Sequence, residues 1–222
     1  MATSRRQVFI AWDASPFRSN PMETLNQYYI EWFGVVSGLL YVWLEIRQHR
    51  AMWSVGLLTS ALYVVVFFGA KLYADMTLNL YYVAVSIYGL SLWRVRKSGS
   101  AEAPRRAITY RRTPARLWVR LAAITLSLYL LQWYLLQRFT DSPVPSADAL
   151  VTAMSITATW MLAKKYLEQW WLWIFINLFS IGLFLNRGLL PTAFLFLVYA
   201  LMAIVGYRHW IRKGYLLLTK DS

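Results

Sequence analysis

An all-α polytopic membrane protein is the fold class this sequence predicts: seven transmembrane helices as two parallel three-helix bundles joined by a linking helix, a 3+1+3 arrangement. Three observations predict it. Of the 222 residues, 59% are hydrophobic and 17% aromatic, where a soluble domain has roughly 45–50% apolar content. The apolar residues gather in long runs separated by short basic loops, the pattern of spanning helices. Two stretches of the chain also superpose on one another at one constant offset, without a gap.

Trp43, Trp53, Gly89 and Trp93 recur 117 positions later as Trp160, Trp170, Gly206 and Trp210. Phe67/Phe184, Tyr82/Tyr199 and Ile87/Ile204 keep the same register. Residues 32–97 map onto 149–214, which is 66 pairs, with four tryptophans in the first stretch and five in the second. Chance gives about 0.3 Trp–Trp coincidences, and the register gives three, so the self-similarity marks a duplicated unit. Each unit covers three spans and ends on the opposite side of the membrane from where it began. The fourth span has no counterpart and returns the chain, which makes the two units parallel, related by an axis along the membrane normal. Such an arrangement places a pathway between the bundles. An old duplication without a pathway would leave the same repeat.

Taken in order, residues 1–28 read as an extracytoplasmic segment. Arg5 and Arg6 precede only the short apolar stretch 8–12, which stops at Asp13 and is too brief for a cleavable signal. The first bundle, 29–95, holds spans at 29–46, 51–70 and 74–95, each near the roughly 17–25 residues a crossing needs. A basic linker follows at 96–116, then the linking helix at 117–137. The second bundle, 147–211, holds spans at 147–163, 169–187 and 189–211, and 212–222 form a cytoplasmic tail. The first span carries Glu31 and Glu45 near its ends, and its mate, the fifth, is rich in hydroxyls: Thr152, Ser155, Thr157, Thr159. Helices this weakly apolar are expected against protein or a cavity rather than lipid.

The loops on the N-terminal side carry six cations, Arg5, Arg6, Arg18, Lys71, Arg138 and Arg187, and the other side carries the remaining seventeen of the 23. The positive-inside rule then places the N-terminus outside and the C-terminus in the cytoplasm. The net charge of +13 collects in the linker, beside anionic inner-leaflet lipid, and calls for no nucleic-acid partner. His49 and His209 stand beside Arg50 and Arg208 at helix ends, as solvated histidines do.

With no cysteine, disulfides, thiolate metal sites and cysteine nucleophiles are excluded. No carboxylate pair, metal-ligand cluster or Ser/His/Asp set is placed to meet, so the chain reads as no enzyme and needs no cofactor. No phosphate-cradling glycine loop is present. No Asp, Glu, Lys or Arg lies near the middle of a span, whereas ion-coupled carriers usually keep one there.

What remains for binding is aromatic and neutral. Trp170, Trp173 and Asn177 share one face of the sixth span, at spacings of three and seven. Asn177 lies deep in the bilayer, where an unpartnered amide is costly. It either glues helices together or binds substrate. The third span carries a similar stripe, Asn79, Tyr82, Ser86, Gly89 and Trp93, with Tyr81 and Tyr88 as a second aromatic line. Tyr199 is the mate of Tyr82 and Ser60 that of Asn177. Trp93 and Trp210, beside basic residues, read as interfacial anchors, while Trp53 and Trp170 fit either role. The candidate substrate-binding set is Trp173, Asn177, Asn79, Trp170, Tyr82, Ser60, Trp53, Tyr199 and Tyr88. Ring faces and amides suit a flat, polar, partly aromatic molecule, and rings attract it further if it is a cation.

Three stretches resemble the PnuC family of bacterial vitamin transporters: Tyr73-Ala-Asp-Met-Thr-Leu-Asn-Leu-Tyr-Tyr82 with Ile87-Tyr-Gly-Leu-Ser-Leu-Trp93, Trp170-Trp-Leu-Trp-Ile-Phe-Ile-Asn177, and Gly206-Tyr-Arg-His-Trp210. The resemblance covers roughly residues 30–213 and is most specific at Trp-x-x-Trp-x-x-x-Asn. It implies a full-length relative of the SWEET and SemiSWEET carriers, commonly a homotrimer. It also implies facilitated diffusion of a vitamin, most often nicotinamide riboside, trapped by cytoplasmic phosphorylation. Matching positions imply substrate contacts from Trp173 and Asn177 in the second bundle and Asn79 in the first. Riboside carriers commonly have Gln where this chain has Asn79, which keeps thiamine, also an aromatic cation, as an alternative. A receptor or scaffold that binds without transporting is the alternative from another class.

Overall fold

The computed structural model describes residues 21–69, 73–93, 108–139 and 144–216. Among these lie seven α-helices: α1 (Pro21–Ile46), α2 (Ala51–Gly69), α3 (Tyr73–Leu92), α4 (Ala115–Phe139), α5 (Pro145–Ala163), α6 (Gln169–Asn186) and α7 (Leu190–Lys213). Every expected span falls on one of them. Helix α1 begins eight residues before the expected boundary at 29. Its first two turns carry Glu23, Asn26 and Gln27, so apolarity misses them, but Pro21 is a start signal at a first helical position.

By length and composition α2, α4, α6 and α7 are apolar enough to cross a membrane, and the apolar stretches of α1 and α3 among the described residues are shorter, Trp32–Ile46 and Met76–Leu92. Helix α5, expected as the fifth span, is not in that set, because its hydroxyls dilute it. They are satisfied within the protein. Thr152 donates to the Asp148 carbonyl (2.9 Å) and Thr159 to that of Ser155 (2.7 Å), while Thr157 and Thr125 of α4 share a hydroxyl–hydroxyl bond of 2.6 Å. Along most of its length α5 is enclosed by other helices. Helix α4 covers one side of it and turns Val119, Ile124, Leu126 and Phe139 outward.

The helix contacts respect the repeat. In the first unit α1 packs on α2 and α2 on α3, and in the second α5 packs on α6 and α6 on α7. Across the seam α1 meets α7 and α3 meets α5. Shifting every number by 117 turns each of these contacts into another of the set.

At the core of each unit a tryptophan presses on a glycine. Trp53 and Trp170 are 0% and 1% exposed. A Cβ on Gly89 would fall 2.3 Å from the Trp53 ring, and one on Gly206 2.4 Å from the Trp170 ring, so only glycine admits these contacts. Each ring then receives a second tryptophan edge-on: Trp93 on Trp53 at 5.6 Å and Trp210 on Trp170 at 5.5 Å between centroids. These edge pairs add roughly 0.5–1.5 kcal/mol each beyond area burial.

Trp93 and Trp210 are not the surface anchors the sequence suggests, since both are buried. The Trp93 Nε1–H donates to the Ala163 carbonyl (3.0 Å) and the Trp210 Nε1–H to the Ile46 carbonyl (3.1 Å). Ala163 ends α5 and Ile46 ends α1, so each indole caps a helix C-terminus of the opposite half, whose last carbonyls have no partner in their own helix. Trp43 and Trp160, the third matching pair, do diverge. Trp43 is exposed beneath the Arg47 guanidinium (4.2 Å), and Trp160 stacks on Tyr166 (6.1 Å).

The buried cluster joins Leu44, Trp53 and Trp93 to Leu162, Trp170 and Trp210. All of it lies at the end of the bundle that carries most of the basic loops. Two short strands, unforeseen from sequence, sit at that end too. The linker strand β1 (Ile108–Tyr110) pairs in parallel with β2 (Gly214–Leu216), just after α7. From Ile108 onward the expected linker forms β1 and the start of α4, and the expected tail opens on the last two residues of α7 and continues into β2. Residues 1–20, 94–107 and 217–222, which hold most of the expected N-terminal segment, linker and tail, lie outside the described residues.

Candidate functional site

The repeat sorts the inward residues into layers, counted from the tryptophan plug. On α6, Trp170 lies in the plug, Trp173 about 4.5 Å further along the axis and Asn177 about 6 Å beyond that, at 1.5 Å rise per residue. On α3 the same ascent runs Trp93, Gly89, Ser86, Tyr82, Asn79. On α2 it is Trp53, Gly56, Ser60, and on α7 it is Trp210, Gly206, Ala203, Tyr199.

In the layer above the plug the two halves differ. Trp173 is half-buried against the core, with its Nε1–H unpartnered. Its mate is Gly56. There the ring comes from α1 instead: Tyr41 lies with Cε2 2.9 Å from where a Gly56 Cβ would be, and Ser86 Oγ is 3.2 Å from the same point. The mates of Tyr41 and Ser86 are Ala158 and Ala203. In the first half, then, the space beside Gly56, where the second half has Trp173, is taken by a ring from α1. Sequence reading missed Tyr41. The signal lay in the stripe Gly34, Gly38, Tyr41, Glu45 down one face of α1, and in a tryptophan whose mate is glycine.

The next layer holds Asn177 and Ser60, mates on α6 and α2, 6% and 7% exposed. Neither makes a side-chain hydrogen bond to another described residue. Neither is among the fully enclosed unpartnered groups, so both polar ends keep some accessible surface. At the seam, the Tyr82 hydroxyl of α3 lies near the Ser155 side chain of α5. The hydroxyl of its mate Tyr199 lies against Gly38, the mate of Ser155. Tyr81 donates to the Ile156 carbonyl (2.7 Å), tying α3 to α5 once more. Asn79, one turn beyond Tyr82, is half-buried and already has an interaction of its own.

The other candidates fall elsewhere. Trp53 and Trp170 present no reachable ring surface, being the centres of the two Trp–Gly contacts, so packing is their observed role. Tyr88 is at the surface, beneath the Lys164 ammonium (5.1 Å). A cavity of about 220 Å³ opens between α1 and α2 at the end away from the plug, lined by Tyr29, Phe33, Leu62, Tyr63 and Val66, and none of the candidates lines it.

The plug also holds a buried polar pair that links the halves. Gln169 Nε2 donates to Glu45 Oε1 (3.1 Å), and Gln169 Oε1 has no partner. At the loops beyond, burial, and secondarily the Arg111 guanidinium, lower the pKa of the Lys165 ammonium. Among the described residues no group of His, Asp or Glu could hold a metal ion. Rings and a neutral amide thus gather in the middle of the bundle, above a closed end.

Residues 28–212 match the family described as nicotinamide mononucleotide transporter. The nicotinamide riboside transporter PnuC of Escherichia coli (strain K12) is 26% identical over 207 residues, covering 84% of this chain and 86% of that protein. The protein of the same name from Neisseria mucosa is 26% identical over 215 residues, covering 92% and 78%. Among solved structures, the crystal structure of the vitamin B3 transporter PnuC superposes with a TM-score of 0.64 at 25% identity, covering 86% of this chain and 83% of that one.

Proposed function

The chain belongs to the nicotinamide mononucleotide transporter family, a multi-pass membrane transporter and not an enzyme, and from that membership we propose that it takes up nicotinamide riboside. Two curated relatives carry that substrate in their names. The substrate site is the layer above the tryptophan plug. Trp173 stacks on the nicotinamide ring and Tyr41 forms the facing aromatic wall. Asn177 and Ser60 bond polar groups, and Asn79, Tyr82 and Tyr199 complete the rim. The single observation that carries this assignment is Asn177: a nearly enclosed residue whose amide keeps accessible surface and bonds no described residue, one turn above Trp173, on the face that points inward.

The fold reading that goes with it is 3+1+3 and SWEET-like, with α1–α3 and α5–α7 as parallel bundles and α4 as the return crossing. It is supported by helix contacts that map onto one another under the repeat. Transport is facilitated diffusion, supported by the absence of acidic or basic residues from mid-span positions. Cytoplasmic phosphorylation traps the imported substrate, and the chain works as a homotrimer in the bacterial inner membrane with its N-terminus outside. These three statements rest on the resemblance and, for orientation, on the basic loops.

Purified protein in liposomes should equilibrate labelled riboside without ATP or an ion gradient. Binding without equilibration would make it a receptor. The Asn177→Leu protein should fold in detergent yet neither bind nor carry riboside, and undiminished uptake would overturn the site. Asn79, in place of the glutamine common among riboside carriers, favours thiamine as the second reading. Calorimetric titration with both vitamins decides, since the true substrate binds tighter.

A further inference from the structure

Thr109 of the linker touches the same point of both halves. Gln48 grips its peptide from both sides: the Gln48 Nε2 donates to the Thr109 carbonyl (2.5 Å), and the Thr109 amide donates to Gln48 Oε1 (3.0 Å). The Lys165 Nζ donates to the Thr109 hydroxyl (3.2 Å). Gln48 and Lys165 are repeat mates, each in the first loop of its unit. Both have left-handed backbone, with φ of 48° and 62°, an uncommon conformation for side-chain-bearing residues and one that marks the two loops as equivalent.

The two attachments are unequal. To the second half the linker is tied by main chain. The Arg111 amide donates to the Lys165 carbonyl (2.8 Å), and the Leu167 amide donates to the Arg111 carbonyl (2.9 Å). β1 pairs with β2. The Thr113 amide and hydroxyl both donate to Glu168 Oε2 (3.0 and 2.7 Å), and Arg112 pairs with the same carboxylate at 3.6 Å. To the first half, the hydrogen bonds among the described residues all come from the Gln48 side chain. Beneath, among the described residues, side chains reach across between the halves at this end, Trp93 to Ala163, Trp210 to Ile46 and Gln169 to Glu45, and further up Tyr81 reaches Ile156.

We propose that residues 108–113 are a latch: a strap carried on the second half that holds the basic end shut by clasping Gln48, and lets go each time the halves part to release substrate on that side. The bonds that break are one bidentate amide clasp and three side-chain contacts, whereas the main-chain pairs move as one body with α5–α7. The clasp lies among the loops, so water can replace it and opening stays reversible. The proposal rests on the transport reading, in which the two halves separate alternately.

The chain has no cysteine, so an introduced pair is the only one to react. In the Gln48→Cys/Thr109→Cys protein, a short thiosulfonate cross-linker should join the two positions. Riboside exchange across liposomes should then fall by about tenfold or more, because one of the two alternating states is removed. Reductant should restore it. Riboside binding by the cross-linked protein in detergent should persist. Exchange at an undiminished rate after cross-linking would show a static brace, and failure to cross-link would contradict the clasp itself. If the reduced protein binds riboside but carries none, as the unmutated protein then also should, the transport reading fails rather than the latch. As a second variant, Gln48→Ala should let a membrane-impermeant thiol reagent reach a Ser60→Cys residue faster from the basic side. An unchanged rate would overturn the proposal.

Discussion

Asn177 distinguishes two meanings of a buried amide. A helix–helix bridge satisfies both of its ends inside the protein, and its removal destabilises the fold. Asn177 has no such bridge among the described residues, so leucine at this position breaks no bond within them. Asn177→Leu should therefore unfold at an equal or higher temperature than the unmutated protein while losing riboside affinity by roughly tenfold or more, about 1–3 kcal/mol for polar groups left unbonded. A lowered midpoint would return Asn177 to a structural role. Tyr41 provides the companion test. If its ring is the wall opposite Trp173, then Tyr41→Phe keeps most of the affinity and Tyr41→Ala loses about as much as Trp173→Ala, each near 0.5–2 kcal/mol for a desolvated ring against a cation. Isothermal titration separates these outcomes, and a Tyr41→Ala protein with full affinity would remove Tyr41 from the site.

At the scale of helices, the duplication makes a paired prediction. Alanine at Gly89 or at Gly206 drives a Cβ into a buried tryptophan ring from 2.3 or 2.4 Å. Neither ring can retreat, because Trp93 and Trp210 pack edge-on against them. Each substitution should cost about 1–3 kcal/mol, with similar losses in the two halves, read as lowered thermal midpoints in detergent. A neutral Gly206→Ala would mean that the α6–α7 contact is looser than its mate. These contacts also show what could be read from the sequence and what could not. The offset of 117 paired Trp53 with Trp170 and Gly89 with Gly206 correctly, because identical residues keep one register. It could not say that Trp93 caps α5 and Trp210 caps α1. Periodicity names the face of a helix, whereas these partners lie 70 and 164 residues away in the opposite unit. Tyr41 was hidden for the same reason, since it replaces Trp173 only once α1 is seen to lie over Gly56. The strand at Ile108–Tyr110 was hidden because a run of arginines and prolines around it reads as a solvated linker.

At the scale of the whole molecule, the closed plug, the strap and most of the basic loops share one end, so the direction in which the chain sits decides what the plug does. If that end faces the cytoplasm, as proposed from the seventeen cations expected on its side, the structure is shut towards the cell interior and substrate enters from the N-terminal side. The reverse orientation would make the same plug an outer gate and the same latch a barrier to entry. The cysteine-free chain makes the distinction direct. Arg50 and Asn186 are both exposed, at loops on opposite ends of the bundle. In intact cells an impermeant maleimide should label Asn186→Cys and spare Arg50→Cys, and permeabilising the inner membrane should expose Arg50→Cys. The reverse pattern would invert the topology, and labelling of both from outside would mean that the bundle does not hold a single orientation. Either orientation lets a passive carrier import, because the substrate gradient sets the net direction, and the first result makes the plug and latch the inner gate. The outward face must then admit riboside to the layer of Trp173 and Asn177 while Gln48 and Thr109 keep the inner end closed behind it.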